Sequence, residues 1–180
     1  MGALVTTNKA AETAKLVEVQ QFLTFALGSE MFAVGTLSVK EIIEYGQLTE
    51  VPMMPGFIRG VINLRGAVVP VIDLSARFGR STTQITRRTC IVIIEVPCGD
   101  EKQDIGVIVD AVSEVLEIPA SEIEPPPAFG AKIRTDFMQG MGKVDGKFVI
   151  LLDVGKVLSV EEISTLASVT SQGEQLSMVQ

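Results

Sequence analysis

The feature that most constrains this 180-residue chain is that it repeats itself. Residues 32–44 return 73 positions later at 105–117, with Val39/Val112, Glu41/Glu114, Ile42/Val115, Ile43/Leu116 and Glu44/Glu117 in register, and the same shift carries Pro52 onto Pro125. A second correspondence runs at a spacing of 80, where Gly60, Gly66, Asp73 and Leu74 fall on Gly140, Gly146, Asp153 and Val154. Apolar strands share Val, Ile and Gly by composition, so one such match alone carries little weight. Two matches in the same order imply duplication of one β-rich unit.

The pattern between the ends of the chain is mostly that of strands. Leu23, Phe25 and Leu27 alternate with small or polar residues, while 68–72, 90–94 and 148–152 are continuous apolar runs of the kind buried strands show. Gly28-Ser29, Arg65-Gly66, Cys98-Gly99-Asp100 and Asp145-Gly146 stand where hairpins would reverse, and Asp-Gly is a strong two-residue turn because both positions accept positive φ. Prolines at 52, 55 and 125–127 exclude central-strand positions and mark connecting loops. Residues 38–44 fit a capped helical turn as well as a strand, and 154–166 is the best candidate for an amphipathic helix. Short strands, frequent turns and the duplication predict two small antiparallel barrels side by side, with a binding cleft between them. The expected organisation is a flexible tail over 1–19, a two-barrel domain over 20–163 and a second flexible tail over 164–180.

Composition narrows the chemistry. The chain has no histidine, which removes His-based triads, His-containing zinc sites and a phospho-accepting imidazole. Cys90 and Cys98, at the two ends of an extended run, stand about 25 Å apart at ~3.3 Å per residue, too far for a disulfide, and are expected to be free thiols. Gly140-Met141-Gly142 leads into a hairpin and not a helix, so it is no phosphate cradle. A net charge of −7 repels nucleic acid, and the one basic group, Arg77, Arg80, Arg87 and Arg88, reads as a solvated loop. No apolar run reaches the ~20 residues that a bilayer-spanning helix needs, and the first 19 residues lack the pattern of a secretory signal, so a cytoplasmic location is expected. Asp73, Asp110 and Asp153 are the only candidates for acid–base work, and a small hydrolase using Asp110 or Asp153 is the alternative from a different class. Asp73 and Asp153 are repeat equivalents at strand ends, where a carboxylate more often accepts backbone N–H bonds. No metal, cofactor or catalytic residue is expected.

The stretch Pro55-Gly56-Phe57-Ile58-Arg59-Gly60-Val61-Ile62-Asn63-Leu64-Arg65-Gly66-Ala67-Val68-Val69-Pro70-Val71-Ile72-Asp73-Leu74 closely resembles the CheW-type coupling proteins of bacterial chemotaxis. The resemblance extends through Phe22–Gly28, Val39–Ile42, Gly106–Val112 and Leu151–Asp153, covering roughly residues 20–160. It implies a mainly β fold of two five-stranded SH3-like barrels with a short C-terminal helix and no catalysis. It also implies a cytoplasmic adaptor, recruited to membrane-associated arrays, that bridges chemoreceptor signalling tips to the regulatory domain of the histidine kinase CheA. By the same resemblance Leu23, Thr36, Val39, Arg65 and Val112 match positions contacting the receptor's helical hairpin, Thr36 being polar where some relatives are apolar. Glu41, Gly60 and Asn63 match positions tied to receptor or kinase binding. Independently of the resemblance, Val39 and Val112 as repeat equivalents are suited to an apolar seat for an amphipathic helix, or to ordinary core packing. Arg65, in a predicted turn, is suited to a partner carboxylate or to solvent, and its repeat equivalent is Asp145.

Overall fold

The computed structural model describes residues 18–54, 56–126 and 135–158. Strands β1 (Val19–Leu27), β2 (Glu30–Gly35), β3 (Val39–Glu44), β4 (Ile58–Leu64) and β5 (Ala67–Asp73) lead into the short helix α1 (Leu74–Arg77). The series then recurs, with one short strand added, as β6 (Cys90–Cys98), β7 (Glu101–Val109), β8 (Ala111–Pro119), the added β9 (Ile123–Glu124), β10 (Met138–Val144), β11 (Lys147–Leu152) and helix α2 (Val154–Val157). The ambiguous stretch 38–44 resolves into a 3-10 turn, Thr36–Ser38, that runs directly into β3. The expected C-terminal helix starts at Val154; its part beyond Leu158, and both expected tails apart from Glu18 and Val19, lie outside the described residues.

The strands form two sheets, a six-stranded one in the order β8-β1-β2-β11-β10-β9 and a five-stranded one in the order β3-β6-β7-β5-β4. The duplication extends to strand register. Phe25 faces Phe32 in the first hairpin as Ile94 faces Ile105 in its copy, and Ile62 faces Val69 as Gly142 faces Val149. Both β4 and β10 carry an irregularity at the same place, between Ile58 and Gly60 and between Met138 and Gly140. The two repeats exchange strands: the first repeat's β1–β2 hairpin pairs with β8 and β11 of the second, while the second repeat's β6–β7 hairpin pairs with β3 and β5 of the first. This exchange adds one parallel pairing to each otherwise antiparallel sheet, Ala33 beside Leu151 and Gly106 beside Val71, which alternation of apolar residues could not reveal.

Each sheet curls far enough for the chain beyond its outer strand to reach the opposite edge. After β8 a 3-10 turn, Ala120–Glu122, delivers β9 to β10, and after β3 Thr49 exchanges both backbone hydrogen bonds with Val61, each 2.9 Å. Period-two alternation then sorts side chains between three cores. In β6, Ile91 and Ile93 point into the second barrel with Val69, Val71 and Ile108, whereas Val92, Ile94 and Val96 point out of it. Those three join Leu23, Phe25, Leu27, Phe32 and Val34 from the first sheet in the largest core, which lies between the barrels. Burying each such side chain contributes roughly 1.5–3 kcal/mol, so the space between the barrels is filled. The expected open cleft is therefore confined to the margin of this shared core.

Turn chemistry follows the sequence reading. Arg65 and Asp145 sit at φ 54° and 50°, each followed by a positive-φ glycine, closing the β4–β5 and β10–β11 hairpins. Asp73 caps α1, its carboxylate accepting from the N–H groups of Ser75 and Ala76; Asp153 lacks any such side-chain bond at α2. Asp110 accepts from the Gly28 N–H at 2.7 Å and pins the β1–β2 turn. The four arginines do not form one solvated group. Arg77 stacks over Phe57 and Phe137 and Arg80 pairs with Glu30 at 2.9 Å, leaving Arg87 and Arg88 exposed.

Candidate functional site

Pairing of β1 with β8 sets Val115 opposite Leu23, and pairing of β6 with β3 sets Ile42 opposite Val92. Directly opposed residues point to the same face of a sheet, and Leu23 and Val92 both belong to the core between the barrels. Val115 and Ile42 therefore stand at the margin of that core, 53% and 44% exposed, while Leu23 is 4% exposed beneath them. Val39 and Val112 are half-buried against the same core. The result is an apolar strip whose members, Val39/Val112 and Ile42/Val115, come in repeat-related pairs.

Two residues along the β1–β8 ladder from Leu23 and Val115 comes the Gln21–Glu117 pair, where the surface opens into a groove of about 700 Å³. Its walls include Phe22, Thr36, Leu37, Glu117 and Val154. Thr36 donates its hydroxyl to the Gln21 carbonyl at 3.3 Å, fastening the 3-10 turn to β1, and the neighbouring Leu37 side chain is fully exposed on the rim. Four of the five expected receptor-contact residues, Leu23, Thr36, Val39 and Val112, are thus associated with the strip or its adjoining groove.

Arg65 does not line that groove. Its guanidinium, 78% exposed, pairs with Glu41 at 2.7 Å beside a hollow of about 260 Å³ lined by Lys40, Glu41, Leu64, Arg65, Ile93 and Asp104. Lys40 bonds Asp104 at 3.1 Å, and that bond, with the attraction of Asp104 and Glu95, holds its ammonium above the usual lysine range. The other two expected partner-binding residues have local structural work. Asn63 Oδ1 accepts the Gly66 N–H at 2.9 Å and stabilises the β4–β5 turn. Gly60, at φ 151°, leaves room for the closing strand: a Cβ there would lie 2.4 Å from the Thr49 carbonyl oxygen.

Residues 21–162 match the family described as the CheW-like domain. The chain belongs to the CheW-like family. It is 36% identical over 170 residues to a chemotaxis protein CheW from Klebsiella aerogenes, covering 94% of this chain and 98% of the relative. It is 31% identical to protein FrzA of Myxococcus xanthus, covering 77% of this chain and 85% of the relative. The crystal structure of a scaffolding protein, TtCheW from Thermoanaerobacter tengcongensis, superposes with a TM-score of 0.72 at 35% identity, covering 81% of this chain and 91% of that one.

In this member of the CheW-like family, Ile42 and Val115 are the residues of the candidate surface that sequence reasoning missed. Both stand in the in-register repeat at positions where an exposed face would ordinarily be polar, and an apolar residue kept there in both copies was the available signal. Among the described residues no helix is long and apolar enough to cross a membrane.

Proposed function

We propose that the protein is a non-catalytic adaptor that couples chemoreceptor signalling tips to a CheA-type histidine kinase, working in the cytoplasm at membrane-associated receptor arrays. Membership of the CheW-like family supports the coupling role. The observation that carries the binding mode is the exposed apolar strip formed by Val39, Ile42, Val112 and Val115 above a packed core. A helix laid along such a surface buries its own apolar stripe at small ordering cost, because the strand backbone is already fixed. The three candidate aspartates support no enzymatic reading: Asp73 and Asp110 are engaged as acceptors of backbone N–H groups, and Asp153 stands at a helix start, where its side chain makes no cap bond among the described residues.

The test is co-sedimentation with receptor-containing membranes, with and without the kinase, followed by kinase autophosphorylation. Wild-type protein should sediment with receptors, raise kinase activity only when receptor and kinase are both present, and show no phosphotransfer alone. Val115→Asp places a carboxylate on the strip while leaving the core beneath it intact; it should fold normally and fail to sediment. Sedimentation equal to wild type would remove the strip as the binding surface.

A further inference from the structure

The apolar strip has a symmetry problem. Its pairs Val39/Val112 and Ile42/Val115 are related by the duplication, so a helix lying across it meets similar apolar contacts in either direction, and apolar burial is itself non-directional. Charges at the two ends of the strip break the degeneracy. Counted back from the equivalent residues Leu23 and Val92, Glu18 precedes the strip in the first repeat where Arg87 precedes it in the second. At the first end Glu18 and Glu117 line the groove with Asp153, and among the described residues no lysine or arginine lines it. At the second end Arg87 and Arg88, both exposed, outweigh Glu44, the register partner of Cys90. Among the described residues neither guanidinium has an ion-pair partner.

The arginine end is also held in shape. Thr83 is buried and donates both its N–H and its hydroxyl to the buried Asp73 carboxylate, each at 2.9 Å. Thr89 Oγ1 accepts the Thr86 N–H at 2.8 Å, Thr86 Oγ1 accepts the Arg88 N–H at 3.2 Å, and Tyr45 N–H bonds the Thr89 carbonyl to continue the β3–β6 ladder. A fixed backbone presents the two arginines beside Ile85, itself 44% exposed, so little ordering is needed when a partner arrives. Extended polyanions are repelled by the chain's net charge of −7, whereas a compact protein surface meets only the local charge.

We propose that Arg87 and Arg88 at one end and Glu18 and Glu117 at the other fix the direction of the amphipathic helix that docks on the strip, its acidic side chains toward the arginines and its basic side chains toward the glutamates. This rests on the strip being the receptor-binding surface. Opposed charges at the ends of a non-directional apolar contact select orientation and penalise the reversed pose by like-charge repulsion.

The probe is a chemoreceptor signalling-tip hairpin fragment. A photo-reactive phenylalanine at Leu37, exposed on the rim of the acidic end, should cross-link to the basic half of the docked helix and not to its acidic half. R87E/R88E should weaken binding about tenfold at low ionic strength, with the difference shrinking as salt shortens the screening length. Adding E18R/E117R to R87E/R88E should restore affinity and move the Leu37 cross-links to the other half of the helix, a change no general loss of folding produces. Val115→Asp separates the two layers of the argument. If it abolishes binding while the charge variants bind as wild type, or if wild-type cross-links fall equally on both halves, the directional inference is wrong and the strip stands. If Val115→Asp binds as wild type, or wild-type protein does not bind the fragment, the docking surface and the inference built on it both fall.

Discussion

Asp73 is fully buried, and its carboxylate accepts from Thr83, Ser75 and Ala76 with the Arg59 guanidinium 3.7 Å away. Asp73→Asn sets an amide N–H₂ among those donors and removes the charge, so unfolding by denaturant should show a loss of about 2–3 kcal/mol. Its repeat equivalent Asp153 makes no side-chain cap bond, and Asp153→Asn should stay within about 0.5 kcal/mol of wild type. Gly60→Ala forces a Cβ against the Thr49 backbone at a φ that L residues rarely adopt, and should cost about 2–4 kcal/mol in the same measurement. Arg65→Ala breaks an ion pair that is largely open to solvent and should change stability by less than about 1 kcal/mol. If it also leaves receptor binding unchanged, the Arg65–Glu41 pair at the end of the second barrel lies outside the receptor contact.

At the scale of elements, α1 and α2 are too short to stand alone, and contacts between the repeats hold them. Arg77 at the end of α1 reaches across to the second repeat, its guanidinium 4.7 Å from the Phe137 ring centre and its Nε donating to the Val157 carbonyl in α2 at 3.0 Å. Arg77→Ala should lower stability by about 1–3 kcal/mol and increase amide exchange in both helices together, which a purely local role would not do. The hairpins were legible beforehand because their signals are local: Arg65-Gly66 and Asp145-Gly146 need positive φ, and the apolar runs beside them have strand length. The duplication was legible because 73- and 80-residue spacings survive in the sequence. What could not be read was partner choice. Nothing within β2 says that it pairs with β11, or within Arg77 and Arg80 that they turn inward while Arg87 and Arg88 stay out, since each outcome is decided by residues distant in the chain. The strip was half legible: Val39 and Val112 were expected as a pair, whereas the exposure of Ile42 and Val115 depends on where the barrels meet.

For the molecule as a whole, strand exchange means that neither repeat owns a barrel. A chain cut between Gln84 and Ile85 leaves β1–β5 on one fragment and β6–β11 on the other, and each sheet needs strands from both. Separately the fragments should lack native near-ultraviolet circular dichroism and melt without cooperativity, and mixing should restore both; a fragment that folds alone would show that the exchange is not what holds the barrels together. The chain crosses from one barrel to the other at two places among the described residues, through Thr36–Ser38 and through Asp110. The two joints leave tilt about the line through them as the least hindered motion, and the core packed between the barrels resists it. Thr36 stands on that line and also in the wall of the groove, so a partner seated there presses near the axis, where leverage is least. Interbarrel distances measured by spin labels should coincide with and without receptor. Such a part passes a push along as a strut does, and whatever bends in the assembled array bends somewhere else.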